Sequence, residues 1–216
     1  MAYCGEVTSL LELQNVKIYQ NGKVILSVNE QVEPGQFLTI MGRSGSGKST
    51  LLNWIAGQLS SDFNAKGSLI LNGKRLDNVA TERRQIGLMY QDALLFPHMT
   101  VEQNIAFGMK QQMNKKQIIH DYLQSVDLEG LGERMPDSLS GGQQSRVSLL
   151  RLMASEPKAI LLDEPFSNLD EEVKITTRQF VLDQLKQTSV PVVMVTHDKE
   201  DANAVSGKLI SLNSSC

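Results

Sequence analysis

The chain has 216 residues, a hydrophobic fraction of 41% and a formal net charge of −3. This length suits one globular domain with a sizeable core, and the slightly acidic balance excludes the basic field that proteins use to hold nucleic acid, so we expect no nucleic-acid partner. Cys4 and Cys216 offer neither a disulfide framework nor paired metal-ligand spacing. Without a signal peptide or an apolar run of membrane-spanning length, the chain is expected to be cytoplasmic.

The first predicted elements are paired short strands. Apolar residues alternate over residues 11–13 and 16–18, and Asn21 and Gly22 predict a tight turn. An apolar run at 37–41 then predicts a buried strand, and a glycine-rich loop follows it. The next element is predicted to be a helix over residues 49–55, which Gly57 terminates.

The middle of the chain changes from strands to helices. Strand-like pieces at 68–71 and 86–89 flank a charged segment at 81–84 that is predicted to be exposed. From residue 100 to residue 157 apolar side chains recur at helical spacing.

The last of these helices is predicted over residues 141–155, with Ser140 as its N-cap and Pro157 just beyond its end. Continuous apolar runs at 159–163 and 192–196 predict parallel strands that are covered on both faces. The chain is therefore predicted to be an α/β domain with a helical insertion.

The glycine-rich loop carries the first chemical signal. It matches the phosphate-binding pattern at every required place with Gly42, Arg43, Ser44, Gly45, Ser46, Gly47, Lys48 and Ser49. The glycines allow consecutive backbone N–H groups to converge on the β- and γ-phosphates, and the following helix adds the positive field of its N-terminus. Lys48 supplies a cation for the phosphates, and the Ser49 hydroxyl is a Mg²⁺ ligand. The alternative, a plain glycine-rich turn, is disfavoured by the strand before it.

A pair of carboxylates follows a buried strand. Asp163 and Glu164 come directly after the apolar residues of the run at 159–163, so they emerge at the carboxyl edge of the sheet, where open α/β folds bind their ligands. Asp163 is predicted to hold Mg²⁺ through water, and Glu164 to polarise the attacking water. An isolated pair would indicate a solvated acidic turn, but the phosphate loop upstream and Pro165 after the pair favour the catalytic interpretation.

A third motif joins these two and carries a family resemblance. It consists of Leu139, Ser140, Gly141, Gly142 and Gln143. Together the motifs resemble those of the ATP-binding subunit of ABC transporters, over essentially the whole chain.

The resemblance implies an architecture. It is one ABC ATP-binding domain over residues 1–216, with an α/β P-loop NTPase core of mostly parallel sheet, an N-terminal antiparallel β subdomain and a helical subdomain over about 92–157. The implied cofactors are ATP and Mg²⁺, and the implied assembly is a homodimer that forms when ATP is bound. Residues 139–143 then act in trans, with Ser140 and Gly142 donating to the γ-phosphate held by the opposite subunit.

Further positions match the family pattern. Gln91 resembles the glutamine that reaches Mg²⁺ and the attacking water, His197 resembles the histidine that senses the γ-phosphate, and Asp170 resembles the acid of the loop that crosses the dimer interface. The resemblance thus makes Glu164, His197 and Lys48 catalytic. It makes Ser49, Gln91 and Asp163 the metal ligands.

Two further residues complete the predicted ATP site, and two depart from the family pattern. Thr50 follows the phosphate loop, and Tyr19 resembles the aromatic residue that stacks on adenine, although local packing in a strand is the alternative for Tyr19. Ser145 stands where the family commonly has glutamine. Asn168 stands where a small residue is usual, which leaves the interface packing there open.

The segment at 94–101 resembles that of importer ATPases for polyamines, ferric ion and thiamine. Leu95, Phe96 and Met99 are predicted to form an exposed apolar lip that receives a short helix of an integral membrane permease. The alternative of equal weight is that they seal the helical insertion onto the sheet. The resemblance adds a solute-binding protein as a further partner and a peripheral location on the inner face of the cell membrane. No C-terminal regulatory extension is expected.

Three functions are consistent with a nucleotide-binding chain of this kind. The leading hypothesis is an ATP hydrolase that energises solute transport through a permease by ATP-driven dimerisation. The alternative is an ATP switch of the same family without a transport role. A nucleotide-binding regulator with negligible turnover is disfavoured by the presence of Glu164 and His197.

Overall fold

The computed structural model describes residues 9–110 and 114–212, and the two cysteines, Cys4 and Cys216, lie outside them. The first sheet is antiparallel, with the strand order β2-β1-β4-β5. Its strands are β1 (Leu11–Gln20), β2 (Lys23–Val32), β4 (Phe63–Leu71) and β5 (Lys74–Arg75). Asn21 and Gly22 join β1 to β2 with φ angles of 49° and 76°, the left-handed conformation that a two-residue hairpin turn requires. The paired strands are longer than the sequence predicted.

The second sheet is parallel and holds the centre of the molecule. Its strand order is β6-β7-β8-β3-β9, and every neighbouring pair runs parallel. The strands are β3 (Phe37–Gly42), β6 (Ile86–Met89), β7 (Ala159–Asp163), β8 (Val192–Thr196) and β9 (Gly207–Leu212). All five residues of β8 are buried, as are the first four of β7. The continuous apolar runs therefore form strands that are covered on both faces.

The described residues form six α-helices. They are α1 (Lys48–Ala56), α2 (Val101–Gly108), α3 (Lys115–Ser125), α4 (Gly141–Ala154), α5 (Glu171–Lys186) and α6 (Lys199–Asn203). Helices α2, α3 and α4 lie between β6 and β7 in the chain and share an apolar core of their own, which includes Ile105, Leu123 and Leu150. The antiparallel sheet, the parallel sheet and the inserted helices confirm the predicted α/β P-loop fold.

The predicted start of α4 is present in the structure. Ser140 is the N-cap, and its hydroxyl accepts a hydrogen bond from the Gln143 backbone N–H at 3.3 Å, while the Gln143 side chain accepts from the Ser140 N–H at 3.0 Å. This reciprocal pair satisfies two N–H groups that a helix start otherwise leaves without partners.

The prediction that residues 81–84 are exposed is wrong for Arg84. Its side chain is buried, and its guanidinium donates to the carbonyl oxygens of Trp54 at 2.9 Å and Ile55 at 2.8 Å. These carbonyls belong to the last turn of α1, where the backbone C=O groups lack the N–H donors that a continuing helix would supply and where the helix dipole is negative. Burial lowers the pKa of Arg84, and the negative charge of Asp77 acts in the opposite direction without cancelling that effect. Arg84 therefore anchors the end of the helix that starts at the phosphate loop.

Within residues 9–110 and 114–212, none of the helices combines the length and the apolar character needed to span a bilayer.

Candidate functional site

A cleft of about 920 Å³ opens at the carboxyl ends of the parallel strands. The phosphate loop contributes Gly42, Arg43, Ser44 and Ser49 to its lining, and three predicted residues from other segments, Gln91, Glu164 and His197, line it as well. Because parallel strands all end at the same edge of the sheet, residues far apart in sequence meet there. The structure thus brings the predicted phosphate, water-activating and γ-phosphate-sensing residues to one place.

The phosphate loop has the backbone geometry that its sequence predicts. Gly45 and Gly47 have φ angles of 79° and 85°, which a residue with a side chain adopts only with strain. Helix α1 begins at Lys48, so its first backbone N–H groups point into the loop. The Lys48 side chain is only 4% exposed, and its Nζ donates to the carbonyl oxygens of Gly42 at 2.9 Å and Arg43 at 3.1 Å. The loop therefore holds its lysine in a fixed position at the cleft.

Asp163 is the last residue of β7 and faces the start of α1. Its Oδ1 accepts a hydrogen bond from the Ser49 hydroxyl at 2.8 Å. Burial raises the pKa of Asp163 and so does the neighbouring charge of Glu164, while the Ser49 hydrogen bond and Lys48 act in the opposite direction without cancelling the rise. Two hard oxygen donors thus lie side by side, and the carboxylate lacks full compensation for its charge.

The Glu164 carboxylate lies between the side chains of Lys48 and His197 and contacts both. Its Oε1 lies 3.4 Å from Lys48 Nζ, and its Oε2 lies 2.8 Å from His197 Nδ1. The Glu164 backbone has a φ of 46°, an unusual value for a residue with a long side chain. Its N–H donates to the Val195 carbonyl of β8 at 3.0 Å. The neighbouring strand therefore holds the strained backbone that turns this carboxylate into the cleft.

His197 lies directly after β8, and a cluster of charged residues, of which Lys174, Arg178 and Asp201 are buried, anchors the segment that carries it. We call this the α5–α6 charge cluster; it consists of Lys174, Arg178, Asp198, Glu200 and Asp201. Lys174 forms an ion pair with Asp198, the residue after His197. Arg178 Nε donates to Asp201 Oδ1 at 2.7 Å, and the Thr196 hydroxyl donates to Asp201 Oδ2 at 3.2 Å. Both residues that flank His197 are therefore tied to this cluster.

The pKa values of the α5–α6 charge cluster follow from its pairing. The hydrogen bond from Lys174 lowers the pKa of Asp198. Burial lowers the pKa of Lys174, but the hydrogen bond to Asp198 and the charges of Asp201, Asp198 and Glu171 outweigh it, so the net pKa is raised. Burial raises the pKa of Asp201, and Asp198 adds to that rise. The ion pair of Lys174 and Asp198 therefore keeps both groups charged near neutral pH.

Gln91 follows β6 and meets a residue that sequence reasoning did not place in the site. Its Nε2 donates to Asn168 Oδ1 at 2.8 Å, and Asn168 Nδ2 donates to Asp92 Oδ1 at 2.6 Å. Neither Asp92 nor Asn168 belongs to the predicted site. The only signal in the sequence was the departure of Asn168 from the small residue usual in the resembling family.

The structure does not bring residues 139–143 to the cleft of their own chain. Within the described residues they lie at the start of α4, and none of them lines the cleft. Ser140 and Gly141 are exposed, whereas Gly142 packs against α5 so closely that an added Cβ would lie 2.6 Å from Val173 Cγ1. Asp170, also exposed, is the N-cap of α5. These predicted interface residues face away from the cleft or into the solvent.

Tyr19 lies in β1, partly buried, and does not line the described cleft. Lys66 Nζ lies 5.7 Å from the centre of its ring. Its predicted contact with adenine stays a prediction. Thr50, in the first turn of α1, is partly buried beside Ser49.

Four residues that the sequence did not predict also line the cleft, namely Met41, Lys199, Ser211 and Leu212. Ser211 and Leu212 reach the phosphate loop because β9 pairs with β3 in parallel, with Leu212 opposite Gly42. No local pattern indicates such a pairing, since it depends on the order of strands in the sheet.

The predicted apolar lip is corrected by the structure. Leu95, Phe96 and Met99 are all partly buried, and Leu95 packs against the core of the inserted helices. The buried Asn104 fixes the backbone of this segment, because its side chain accepts a hydrogen bond from the Phe96 N–H at 2.8 Å and donates one to the Met99 carbonyl at 3.1 Å. The exposed apolar residues here are instead Leu94, at 56%, and Phe107, at 64%.

Leu94 and Phe107 border a groove of about 260 Å³, which we call the α2–α4 groove. Its lining includes Leu88, Leu94, Phe96, Phe107, Arg151 and Leu152. The Phe96 and Phe107 rings meet edge to face at 4.7 Å, and the Arg151 guanidinium lies 5.2 Å from the centre of the Phe96 ring. An apolar groove with one cation in its wall suits a short protein segment.

Comparison with known proteins agrees with this geometry. The family model described as ABC transporter matches residues 25–167. The chain is 41% identical to the ABC transporter ATP-binding protein YnjD of Escherichia coli (strain K12) over 204 residues, which cover 93% of this chain and 94% of the relative.

Two longer relatives are also similar. The chain is 36% identical to the spermidine/putrescine import ATP-binding protein PotA of Lawsonia intracellularis over 209 residues, 94% of this chain and 56% of that protein. It is 37% identical to the Fe(3+) ions import ATP-binding protein FbpC of Fusobacterium nucleatum over 206 residues, 92% of this chain and 54% of that protein. The chain thus spans about half the length of these two relatives. The extent of the family match and the identity to the full length of a relative show that this chain belongs to the ABC transporter family, among its ATP-binding proteins.

Proposed function

We propose that this chain binds ATP with Mg²⁺ in the cleft, hydrolyses it, and by closing on a second copy energises an integral membrane permease. The observation that carries the proposal is the meeting of the phosphate loop, Glu164, His197 and Gln91 around one cleft from four separate segments. Phosphoryl transfer needs charge stabilisation and an oriented nucleophile more than covalent help, and this set supplies both.

The residues fit a magnesium ion. Mg²⁺ usually takes one or two protein oxygens and completes its shell with phosphate oxygens and water. Ser49 and Asp163 present two such oxygens 2.8 Å apart, and the Gln91 amide lines the same cleft. Within residues 9–110 and 114–212 no group of three or more His, Cys, Asp or Glu side chains could hold a metal ion by itself, as suits an ion shared with phosphates. When bound, the ion would neutralise phosphate charge.

Glu164 and His197 are the residues we assign to hydrolysis. The Glu164 carboxylate is held between Lys48 and His197 and accepts a proton or a hydrogen bond from water at the edge of the cleft. His197 has its Nδ1 on Glu164, which leaves Nε2 to face the terminal phosphate. The α5–α6 charge cluster fixes the segment around His197, so the imidazole is oriented before nucleotide arrives.

A second copy would complete the site. Residues 139–143 carry an exposed helix start with a serine and two glycines, a ready anion site, yet they do not line the cleft of their own chain. In a two-fold dimer each chain would present them to the phosphates held by the other, with Asp170 at the interface. Residues 1–216 would then act as one ABC ATP-binding domain with its helical subdomain over about 92–157.

The α2–α4 groove is the surface we assign to the permease. Its exposed Leu94 and Phe107 would receive an apolar segment, and Arg151 lies in its wall. The names of PotA and FbpC describe import ATP-binding proteins, and we extend the import role, with a solute-binding protein and a place on the inner face of the membrane, to this chain. No observation favours an ATP switch without a transport role.

Mixing two inactive variants tests the shared site. Lys48→Ala disables a phosphate loop, and Ser140→Arg blocks residues 139–143 without touching the same chain's cleft. In a two-fold dimer of one chain of each kind, one of the two sites has both parts intact, so an equal mixture should regain roughly a quarter of the wild-type sites. Mg²⁺-dependent ATP hydrolysis is measured for each variant and for the mixture. No recovery on mixing, with both variants folded, would refute the shared site.

The permease assignment has its own test. The chain is purified with an affinity tag from membranes of its host, and co-purifying integral membrane proteins are identified. Phe107→Glu should abolish that association and leave Mg²⁺-dependent nucleotide binding unchanged, because Phe107 does not line the cleft. Ile175→Glu, which changes an equally exposed apolar residue on α5, is the matched control. Equal association of both variants would exclude the groove.

A further inference from the structure

The side chains of Gln91, Asn168 and Asp92 form a short chain of hydrogen bonds beside the cleft, which we call the relay. Gln91 Nε2 donates to Asn168 Oδ1 at 2.8 Å, and Asn168 Nδ2 donates to Asp92 Oδ1 at 2.6 Å. Asn168 lies four residues after Glu164, in a turn where the Ser167 hydroxyl donates to the Glu164 carbonyl at 2.8 Å. The relay therefore connects the segment after β6 with the segment that carries the predicted water-activating carboxylate.

The chemistry of the three groups allows one direction only. An ionised carboxylate accepts hydrogen bonds and donates none, so the Asn168 side chain must turn its NH₂ group toward Asp92. The Asn168 carbonyl oxygen then faces Gln91 and accepts a hydrogen bond from the Gln91 NH₂ group. Gln91 Oε1, the only atom of that side chain able to bind a metal ion, is thereby left free for the cleft that Gln91 lines.

We propose that Asn168, oriented by Asp92, is a positioning residue that sets the amide of Gln91 so that its oxygen, not its nitrogen, is presented to Mg²⁺. The inference rests on the proposed ATP and Mg²⁺ function, and adds to it two residues outside the predicted site. Without the relay the two orientations of an amide differ little in energy, and the wrong one points two N–H groups at the cation.

A purely structural role explains the relay less well. Gln91, Asp92 and Asn168 are all exposed, and hydrogen bonds between exposed side chains add little to folding stability because water replaces them. Residues that orient a metal ligand, in contrast, typically change metal affinity 10- to 100-fold when replaced. The expected effect is therefore on Mg²⁺ and not on folding.

The test is a titration of Mg²⁺ against the affinity for a fluorescent ATP analogue, with Mn²⁺ binding followed by electron paramagnetic resonance. Asn168→Ala should raise the Mg²⁺ concentration at half effect about 10-fold and leave nucleotide affinity without metal and the melting temperature unchanged. In a Gln91→Ala background Asn168→Ala should have no further effect, since the group that it positions is gone.

A swap of the two relay groups separates orientation from general disturbance. Asp92→Asn together with Asn168→Asp places a carboxylate next to Gln91, and this carboxylate still accepts a hydrogen bond from the Gln91 NH₂ group. The Mg²⁺ dependence should therefore return to within about 3-fold of wild type. Asn168→Ala with wild-type Mg²⁺ dependence, or failure of the swap to restore it, overturns the proposal. A wild-type chain that binds the nucleotide equally with and without Mg²⁺ would instead refute the proposed function.

Discussion

Two aspartates beside neighbouring strands of the parallel sheet have pKa values that are raised for similar reasons, but they are paired differently. Asp163 ends β7, and Asp201 in α6 packs against the end of β8. Burial is the main cause that raises the pKa of each, and a neighbouring carboxylate, Glu164 or Asp198, adds to it. The direction of the pKa shift therefore does not distinguish the two residues.

Their partners do distinguish them. Asp201 is 2% exposed and receives the Arg178 guanidinium at 2.7 Å and the Thr196 hydroxyl at 3.2 Å. In the described part of the chain the Asp163 carboxylate accepts one side-chain hydrogen bond, from the neutral hydroxyl of Ser49. A buried carboxylate that is paired with a cation stabilises the fold. A carboxylate without a paired cation, hydrogen-bonded to a residue that lines the cleft, is suited to bind an external cation.

The largest effect is expected from the structural aspartate. Arg178→Met should lower the free energy of unfolding by about 3 to 5 kcal/mol, because it leaves Asp201 buried without its cation. Urea unfolding followed by circular dichroism measures the change. Adding Asp201→Asn should restore most of the loss by removing the uncompensated charge. A loss below about 1 kcal/mol would show that Arg178 acts as an ordinary surface residue.

The next effect concerns catalysis at the cleft. Glu164→Gln should lower kcat for ATP hydrolysis at least 100-fold, about 3 kcal/mol, and leave nucleotide affinity intact, because it removes the carboxylate that we propose orients water and none of the proposed phosphate donors. The ATP-bound dimer should persist in size-exclusion chromatography with light scattering. Glu172→Gln, an exposed carboxylate on α5, is the control. A Glu164→Gln variant that stays monomeric with ATP contradicts the dimer mechanism.

Nucleotide affinity itself depends on Lys48. Lys48→Ala should weaken ATP binding about 10- to 100-fold, equivalent to about 1.4 to 2.7 kcal/mol, since the buried cation that we propose binds the phosphates is lost. Isothermal titration calorimetry gives the affinity. Lys199→Ala removes an exposed lysine from the same cleft and should have a several-fold smaller effect. Equal losses in both variants would mean that net charge, not the loop geometry, determines binding.

The smallest effect distinguishes the two aspartates most directly. Asp163→Asn should stabilise the protein by about 1 kcal/mol at pH 7.5 without metal, a rise of roughly 2 to 4 °C in Tm. The reason is that it removes a charge whose burial and repulsion by Glu164 oppose folding. Differential scanning fluorimetry measures the rise. Addition of Mg²⁺ with ATP should make the Tm of wild type the higher of the two, because only wild type gains stability from binding this ligand.

The pH dependence of that gain follows from the raised pKa. A carboxyl group with a raised pKa binds its proton more tightly in the folded protein than in the unfolded chain, so its charged form opposes folding above the folded-state pKa. The gain from Asp163→Asn should be full there, shrink as the pH falls through the folded-state pKa, and vanish below the ordinary value of 3.8. A gain that grows toward acid pH would contradict the assigned cause.

Local chemistry made much of this molecule predictable. The phosphate loop, Asp163 with Glu164, and the capped start of α4 each depend on residues adjacent in sequence, so a short pattern carries them. The family and the α/β fold predicted from these motifs are confirmed. The functional roles of the individual residues stay predictions, and the experiments above address them.

Other features required the chain to fold first. Arg84 is an exposed charge by its sequence context but caps α1 from 30 residues away. Asn104 holds the backbone of Phe96 and Met99, which are partly buried, and the exposed apolar residues of this region are Leu94 and Phe107. In each case a buried polar side chain satisfies backbone N–H or C=O groups of another segment, and hydropathy patterns do not indicate such hydrogen bonds.

The sequence by itself determined that a strand, a glycine-rich loop and a helix follow one another, and that two carboxylates end a buried strand, because backbone conformation and hydrophobic periodicity are local properties. Only the tertiary structure decided which of these groups meet. The parallel order of strands placed Gln91 beside Asn168, 77 positions away, and left residues 139–143 outside the cleft, since contacts across the sheet depend on strand order and not on sequence neighbours.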